Sequence, residues 1–174
     1  NYKELFDTRL MEDSQAAGKW KTEQGGEYFA AGVGGAITGR GADLLIIDDP
    51  HKEQDIKKDS KSFDKAWNWY TSGPRQRLQP DGKIVCVMTR WSTKDLTGQM
   101  IKAQGEEGSD EWEVIRLPAI LPSDTPVWPE YWKLEELEKT KASIPVSNWN
   151  AQYQQEPTAE EGALIKREWW QDWE

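Results

Sequence analysis

Asp48 and Asp49 stand side by side at the end of the apolar run Leu44–Ile47, and Pro50 follows them directly. Two like charges at the end of a buried strand repel each other, so a nearby positive group usually compensates them. A divalent cation does this well, because Mg²⁺ is commonly held by one or two carboxylates together with substrate phosphates. The pattern "LLIIDD" therefore favours a Mg²⁺–nucleotide site, although Asp and Pro also begin ordinary turns.

A second apolar run, "KIVCVMTRW" at Lys83–Trp91, also carries polar side chains near its end, at Thr89 and Arg90. If both runs are strands of one parallel sheet, their carboxyl ends meet at the edge where such sheets bind ligands. In that interpretation "LLIIDD" resembles a Walker B strand. Asp48 would hold Mg²⁺, directly or through water, and Asp49 would orient the water that attacks a γ-phosphate.

Strands and helices alternate along the chain. Continuous apolar runs predict strands buried on both faces at Ala42–Asp48 and Lys83–Trp91. A third strand is predicted at 112–120, and Glu27–Val33 is predicted to be a short strand. Helices are predicted within 55–72, 93–104, 133–142 and 146–157, and in part of residues 1–24. Ser92 or Thr93 is expected to be the N-cap of the helix over 93–104, with Asp95 in its first turn. This order predicts an α/β fold with a partial parallel sheet and flanking helices.

Charge and cysteine content narrow the possible functions. The net charge is −9, which makes the chain a poor general DNA binder, so any contact with DNA is expected to be local or made by another domain. Cys86 is the only cysteine and cannot form an internal disulfide, so a reducing compartment is expected. No apolar run approaches the roughly 18 residues of a membrane-spanning helix, and no membrane association is expected.

Several motifs in a fixed order resemble one family. They are "GGEYFAAGVGGAITGRGADLLIIDDPHK", "WNWYTSGPRQRL", "KIVCVMTRWSTKDLTGQM", "IRLPAI" and "WNAQYQQEPTAEEGALIKREWW". Over roughly residues 10–170 they resemble the large subunit of tailed-phage terminases, the ATP-driven motors that package viral DNA into procapsids. The resemblance implies an ASCE-type ATPase domain of the P-loop NTPase class, followed by an RNase H-like nuclease domain.

The resemblance also implies roles for individual residues. Asp48 matches the Walker B aspartate, and Asp49 occupies the position of the catalytic carboxylate, where many terminases have Glu. Asp is one methylene shorter, which puts its reach to the attacking water in question. "MTRW" resembles the motif that couples ATP state to movement of the domain, so Thr89 and Arg90 are expected to contact the nucleotide and relay loss of its γ-phosphate.

An arginine finger is implied as well. Arg40, in the glycine-flanked "GRG" before the Walker B strand, is expected to act in trans on ATP bound by a neighbouring subunit, with Arg77 and Arg90 as rivals for that role. His51 follows the two acids and is expected to lie in a solvated loop with no catalytic role.

The phosphate-binding loop G-x-x-x-x-G-K-[ST] does not occur in the sequence. The resemblance therefore implies an internal fragment: residues 1–145 would be the C-terminal part of the ATPase domain, and residues 146–174 a helix or linker leading to an absent nuclease domain. The implied cofactors are ATP and Mg²⁺. The implied partners are double-stranded viral DNA, the portal protein of the procapsid, the terminase small subunit and further copies in a ring, all in the host cytoplasm. The isolated chain is expected to bind ATP poorly, to be inactive, and to leave a sheet edge or face uncovered.

Two alternatives stay open. One is a fragment of another ASCE-type translocase or helicase, which would have the same arrangement of polar residues at the ends of parallel strands. The other is a non-catalytic interaction module of a capsid motor, for which two acids at a strand end have no physical use. A dinucleotide oxidoreductase is excluded, because Ile37 stands where G-x-G-x-x-G needs its third Gly and an apolar strand follows instead of a helix.

Overall fold

The computed structural model describes residues 7–35, 37, 39–54 and 61–158. The chain divides into two compact units, residues 1–41 and residues 42–174. The sequence did not predict a division at this point. The boundary predicted after residue 145 stays a prediction.

The first unit contains a three-stranded antiparallel sheet, formed by β1 (Leu10–Ala16), β2 (Lys19–Thr22) and β3 (Glu27–Phe29) in that order. The prediction of helical structure within residues 1–24 is therefore wrong for the described residues, which begin at Asp7. Glycine explains the difference. Gly18 lies in the turn between β1 and β2, and Gly25 adopts φ +87° in the turn before β3, a conformation that favours glycine.

The second unit alternates strands and helices, as predicted. It contains β4 (Ala42–Asp48), α1 (Ser62–Ser72), a 3₁₀ turn (Pro74–Arg77), β5 (Leu78–Val87), α2 (Leu96–Ala103), α3 (Leu134–Ser143) and α4 (Val146–Asn148), which continues into a π-helical turn (Trp149–Tyr153). The strand predicted at Ala42–Asp48 is confirmed. The strand predicted at Lys83–Trp91 forms, but it begins at Leu78 and ends at Val87. The coarse α/β class is therefore confirmed.

β4 and β5 pair in parallel, in a register that runs from Leu44 opposite Lys83 to Asp48 opposite Val87. Parallel neighbours require a crossover connection, and the segment with α1 supplies it. Because both strands run in the same direction, their carboxyl ends lie at the same edge of the sheet.

Among the described residues, helices cover only one face of this sheet. Ile47 of β4 packs in a core with Tyr70 of α1 and with Leu96 and Met100 of α2. On the strands, four apolar side chains remain between 45% and 58% exposed: Leu44, Ile46, Val85 and Val87. The prediction that these strands are buried on both faces is wrong for the described residues, because α1 and α2 pack against the same face. An uncovered edge or face was expected, and the described residues leave one face uncovered; its expected cause, a missing phosphate-loop strand, stays a prediction.

The third predicted strand does not form. Residues 111–119 are neither strand nor helix, and the pairing that the described residues show nearby is an isolated bridge between Ile120 and Pro126. Ile120 instead joins a second small core with Leu137 of α3 and Trp149. No helix among the described residues is long and apolar enough to cross a membrane.

Candidate functional site

The carboxyl end of β4 presents the two adjacent acids to solvent. Asp48 ends the strand opposite Val87, and the Asp49 N–H extends the ladder by donating to the Val87 carbonyl at 2.9 Å. Asp49 then adopts φ +40°, in the left-handed region, so the chain turns away from the sheet directly after the ladder ends. Both acidic residues are exposed, whereas Pro50 behind them is buried.

Asp49 also connects the ends of the two strands. Its Oδ1 accepts a hydrogen bond at 3.1 Å from the backbone N–H of Thr89, 40 residues further along the chain. The predicted acids and the predicted "MTRW" segment therefore meet at one edge of the sheet. A short carboxylate side chain suffices for this contact, because the parallel register already places Asp48 beside Val87.

Asp95 is the most strongly held polar side chain at this edge, and it is fully buried. It is the N-cap of α2 and accepts the Gly98 N–H at 2.8 Å. The expectation that Ser92 or Thr93 caps this helix is wrong, and so is the expectation that Asp95 lies in its first turn, because the helix begins at Leu96. Aspartate is as favoured at the N-cap position as serine, so residue type alone did not exclude it.

Arg90 is the partner of Asp95. Its Nε donates to the Asp95 carboxylate at 3.0 Å, its Nη2 donates to the Ser92 carbonyl at 3.3 Å, and the residue is only 8% exposed. The same carboxylate accepts the N–H groups of Trp91 at 2.9 Å and Ser92 at 3.2 Å. The guanidinium of Arg90 thus holds the loop between β5 and α2. Contact of Arg90 with a nucleotide stays a prediction.

His51 lies in a packed site, so the expectation of a solvated loop is wrong. Its Nε2 accepts the Leu96 N–H at 2.9 Å, and its ring makes an edge contact with Phe63 at 5.2 Å between centroids. Burial lowers the pKa of His51 and outweighs the opposing effect of the Asp95 carboxylate. His51 therefore ties the turn after Asp49 to the first residue of α2. The only feature of the sequence that could have indicated this role for His51 is its position directly after "DDP".

Arg40 belongs to the first unit and is engaged there. Its guanidinium forms an ion pair with Glu27 and lies 4.2 Å from the centre of the Phe29 ring. Partial burial raises the pKa of Glu27, but the charges of Lys21 and Arg40 outweigh this and keep that pKa below its usual value. Of the rival arginines, Arg77 has a buried Nε without a hydrogen-bond partner in the described part of the chain.

A cavity of about 790 Å³ lies beside β5. It is lined by β5 residues 82–87, by Arg90 and by residues 110–117, where the third strand was predicted. Among the described residues, the N–H groups of residues 111–117 make no backbone hydrogen bond, and β5 is paired only along its β4 side. Within the described part of the chain, backbone groups without a backbone partner therefore border this cavity along two segments.

The two exposed carboxylates suit a Mg²⁺ ion that takes its remaining ligands from phosphates and water. No group of three or more His, Cys, Asp or Glu side chains that could hold a metal ion by themselves occurs within residues 7–35, 37, 39–54 and 61–158. Asp48 and Asp49 fit a shared nucleotide–metal site better than a metal site made entirely of protein ligands.

No protein-family model and no curated protein matches this chain.

Proposed function

We propose that this chain is part of the ATPase domain of a terminase large subunit, the motor that packages viral DNA into procapsids. The observation that carries the proposal is the hydrogen bond from the Thr89 N–H to Asp49 Oδ1. It joins the acidic end of β4 to the end of β5, so a change in the ligands of the acids acts directly on the next strand. That linkage is what a nucleotide-driven motor requires.

The two acids have different parts in this mechanism. Bound Mg²⁺ would neutralise charge on the β- and γ-phosphates, and Asp48 would hold it. Asp49 uses Oδ1 for Thr89, while Oδ2 has no hydrogen-bond partner in the described part of the chain and can orient the attacking water. Thr89 would respond to loss of the γ-phosphate through the same carboxylate.

Arg90 and Arg40 have different parts in the proposal. Arg90, held by Asp95, fixes the loop that carries Thr89, so we assign it a positioning part. Arg40 would serve as the finger toward a neighbouring subunit of a ring. To do so it would have to exchange its ion pair with Glu27 for one with a phosphate.

The cavity beside β5 is consistent with a phosphate-binding loop supplied by a further segment of a longer protein. A third parallel strand placed there would satisfy the open edge of β5 and deliver its following loop to the edge where Asp48 and Asp49 lie. Nuclease activity, contacts with viral DNA, the portal protein and the small subunit, and work in the host cytoplasm belong to the same proposal.

The test uses the whole open reading frame from which this chain derives. We expect an in-frame G-x-x-x-x-G-K-[ST] motif upstream and Mg²⁺-dependent ATP hydrolysis by the purified product. Asp49→Ala should lower kcat by about a hundredfold or more, the usual minimum for loss of an acid–base group. Asp43→Ala, which removes an exposed acid at the start of β4, is the matched control and should leave kcat unchanged.

The 174-residue chain alone should show no turnover, because the donors that hold the β- and γ-phosphates are missing from it. A reading frame without a phosphate loop, or a whole protein whose hydrolysis survives Asp49→Ala, would overturn the proposal. If the whole protein hydrolyses ATP and unwinds duplex DNA, and procapsids do not stimulate its hydrolysis, the chain belongs to a helicase-type motor and not to a terminase.

The exposed apolar face of the β4–β5 sheet favours a second candidate, a non-catalytic interaction module of a capsid motor. This candidate predicts that the whole protein binds a partner through that face without hydrolysing ATP. Ile46→Ser, on the exposed face, would then abolish partner binding, whereas Asp49→Ala would not.

A further inference from the structure

Three aromatic side chains lie exposed on one turn that precedes α3. Trp128 is 57%, Tyr131 62% and Trp132 41% exposed. Backbone hydrogen bonds to the Trp128 carbonyl fix the turn, from the N–H of Tyr131 at 3.1 Å and from that of Trp132 at 2.9 Å. We call these three side chains the aromatic patch.

The rings of the aromatic patch are arranged against one another. Trp128 and Tyr131 stack, with centroids 4.9 Å apart and planes at 24°, and Trp132 meets Tyr131 edge-on at 5.3 Å and 84°. The patch thus presents aromatic faces at two orientations to solvent. By contrast, the stacked Trp149 is buried in the second small core of the same unit. Large exposed aromatic clusters in soluble domains mark interaction surfaces.

The charge around the patch decides what it can bind. Residues 124–139 contain five acids, all exposed, and only two lysines: Asp124, Glu130, Glu135, Glu136, Glu138, Lys133 and Lys139. Lys139 pairs with Glu135 at 2.7 Å, and Lys141, just beyond this range, lies 3.9 Å from Glu138. Lys133 donates to the Pro129 carbonyl at 3.1 Å, so Asp124, Glu130 and Glu136 have no lysine ammonium partner in the described part of the chain. An anionic partner such as a nucleic-acid backbone is therefore repelled, and a cationic partner is attracted.

We propose that the aromatic patch docks a basic, arginine-bearing segment of a partner protein. A guanidinium stacks on aromatic faces, most favourably on Trp, and forms forked hydrogen bonds with carboxylates. Trp128 supplies the most favourable ring type and is more than half exposed, and the exposed Glu130 lies two residues from it in the same turn. This proposal concerns a surface remote in sequence from Asp48, Asp49 and Thr89 and does not rest on the proposed ATPase activity.

The test titrates the 174-residue chain with the peptide acetyl-(Arg-Gly)₄-amide by isothermal calorimetry, with acetyl-(Lys-Gly)₄-amide and acetyl-(Glu-Gly)₄-amide as matched probes. We expect the arginine peptide to bind several-fold more tightly than the lysine peptide, and the glutamate peptide not to bind. Trp128→Leu, which keeps an apolar side chain but removes the ring, should weaken arginine-peptide binding about tenfold.

Charge and folding controls complete the design. Glu130→Gln should weaken binding several-fold, whereas Glu107→Gln, at an exposed acid outside residues 124–139, should have no effect. Urea unfolding midpoints of the variants must equal that of the parent, and Tyr131→Leu provides a second patch variant if Trp128→Leu lowers the midpoint. Equal weakening by Glu107→Gln, or unchanged binding in both patch variants, overturns the proposal. Tighter binding of a short DNA duplex at the patch would do so too and would assign it to nucleic acid.

Discussion

Replacing Asp95 with alanine should destabilise the second unit more than any other single change at the carboxyl edge of its sheet. Asp95 is fully buried and accepts hydrogen bonds from the N–H groups of Trp91, Ser92 and Gly98 and from the guanidinium of Arg90. Alanine removes every one of these acceptors at once. Arg90, at 8% exposure, is left as a buried charge without its counter-ion.

The magnitude follows from the buried pair. Removing one partner of a buried ion pair costs about 3–5 kcal/mol, mainly because the other charge stays buried. The lost helix cap alone would account for about 1 kcal/mol of that total. With a urea dependence of about 2 kcal/mol/M, a loss of about 4 kcal/mol moves the unfolding midpoint down by about 2 M.

Cys86 provides an assay specific to this unit. It is the only cysteine of the chain and lies half-buried in β5, so its labelling by a thiol reagent in a short pulse reports opening of the second unit alone. Asp64→Ala, which removes an exposed acid in the first turn of α1, is the matched control and should change the free energy of unfolding by less than about 0.5 kcal/mol.

A double-mutant cycle with Arg90→Leu isolates the pair. Because hydrogen bonds to charged groups contribute about 1.5–3 kcal/mol, we expect a coupling energy in that range between the two positions. If Asp95→Ala costs no more than the Asp64→Ala control, or if the cycle gives no coupling, then the Arg90–Asp95 pair does not hold this loop and the reasoning is refuted.

Three further predictions concern the same edge. A Cβ at Gly98 would lie 2.2 Å from the Thr93 carbonyl oxygen, so Gly98→Ala should lower the free energy of unfolding in urea by about 3 kcal/mol. Gly105→Ala is the control: its Cβ would have its nearest contact at 3.6 Å, so the free energy of unfolding should change by less than about 0.5 kcal/mol. Burial lowers the pKa of His51, and its Nε2 must stay unprotonated to accept the Leu96 N–H. The contribution of His51 to stability is therefore complete above the unfolded-state pKa of about 6.5 and is lost as the pH falls toward the lower folded-state pKa. Since His51 is the only histidine, His51→Gln should flatten the stability profile between pH 7.5 and pH 5, and an unchanged slope would contradict the assignment. Burial likewise raises the pKa of Cys86, so iodoacetamide should alkylate the native chain at pH 8 at least about tenfold more slowly than the urea-unfolded chain; equal rates would show that β5 is open.

The sequence by itself determined the features that depend on local pattern. The apolar run at Ala42–Asp48 was correctly predicted as a strand, and the helical spacing that leads into α1, α2 and α3 was recognised because such patterns need only neighbouring residues. It also indicated that the ends of β4 and β5 would meet, since the carboxyl ends of parallel strands share one edge. The chemistry expected of Asp48, Asp49 and Thr89 stays a prediction.

Only the tertiary structure determines which hydrogen-bond partner each polar group has. Ser92, Thr93 and Asp95 are all acceptable caps for α2, and only the buried Arg90 shows why Asp95 takes that position. His51 looked like a loop residue because its acceptor role depends on Leu96, 45 residues away.

Pairing and coverage of strands were equally beyond the local pattern. Residues 112–120 have the composition of a strand, but a strand exists only when another strand bonds to it, and none among the described residues does so. Leu44 and Ile46 were likewise predicted to be buried, but both are exposed because α1 and α2 pack against the opposite face of their strand. The sequence shows which side chains are apolar, whereas the arrangement of the other elements determines which of those side chains are buried.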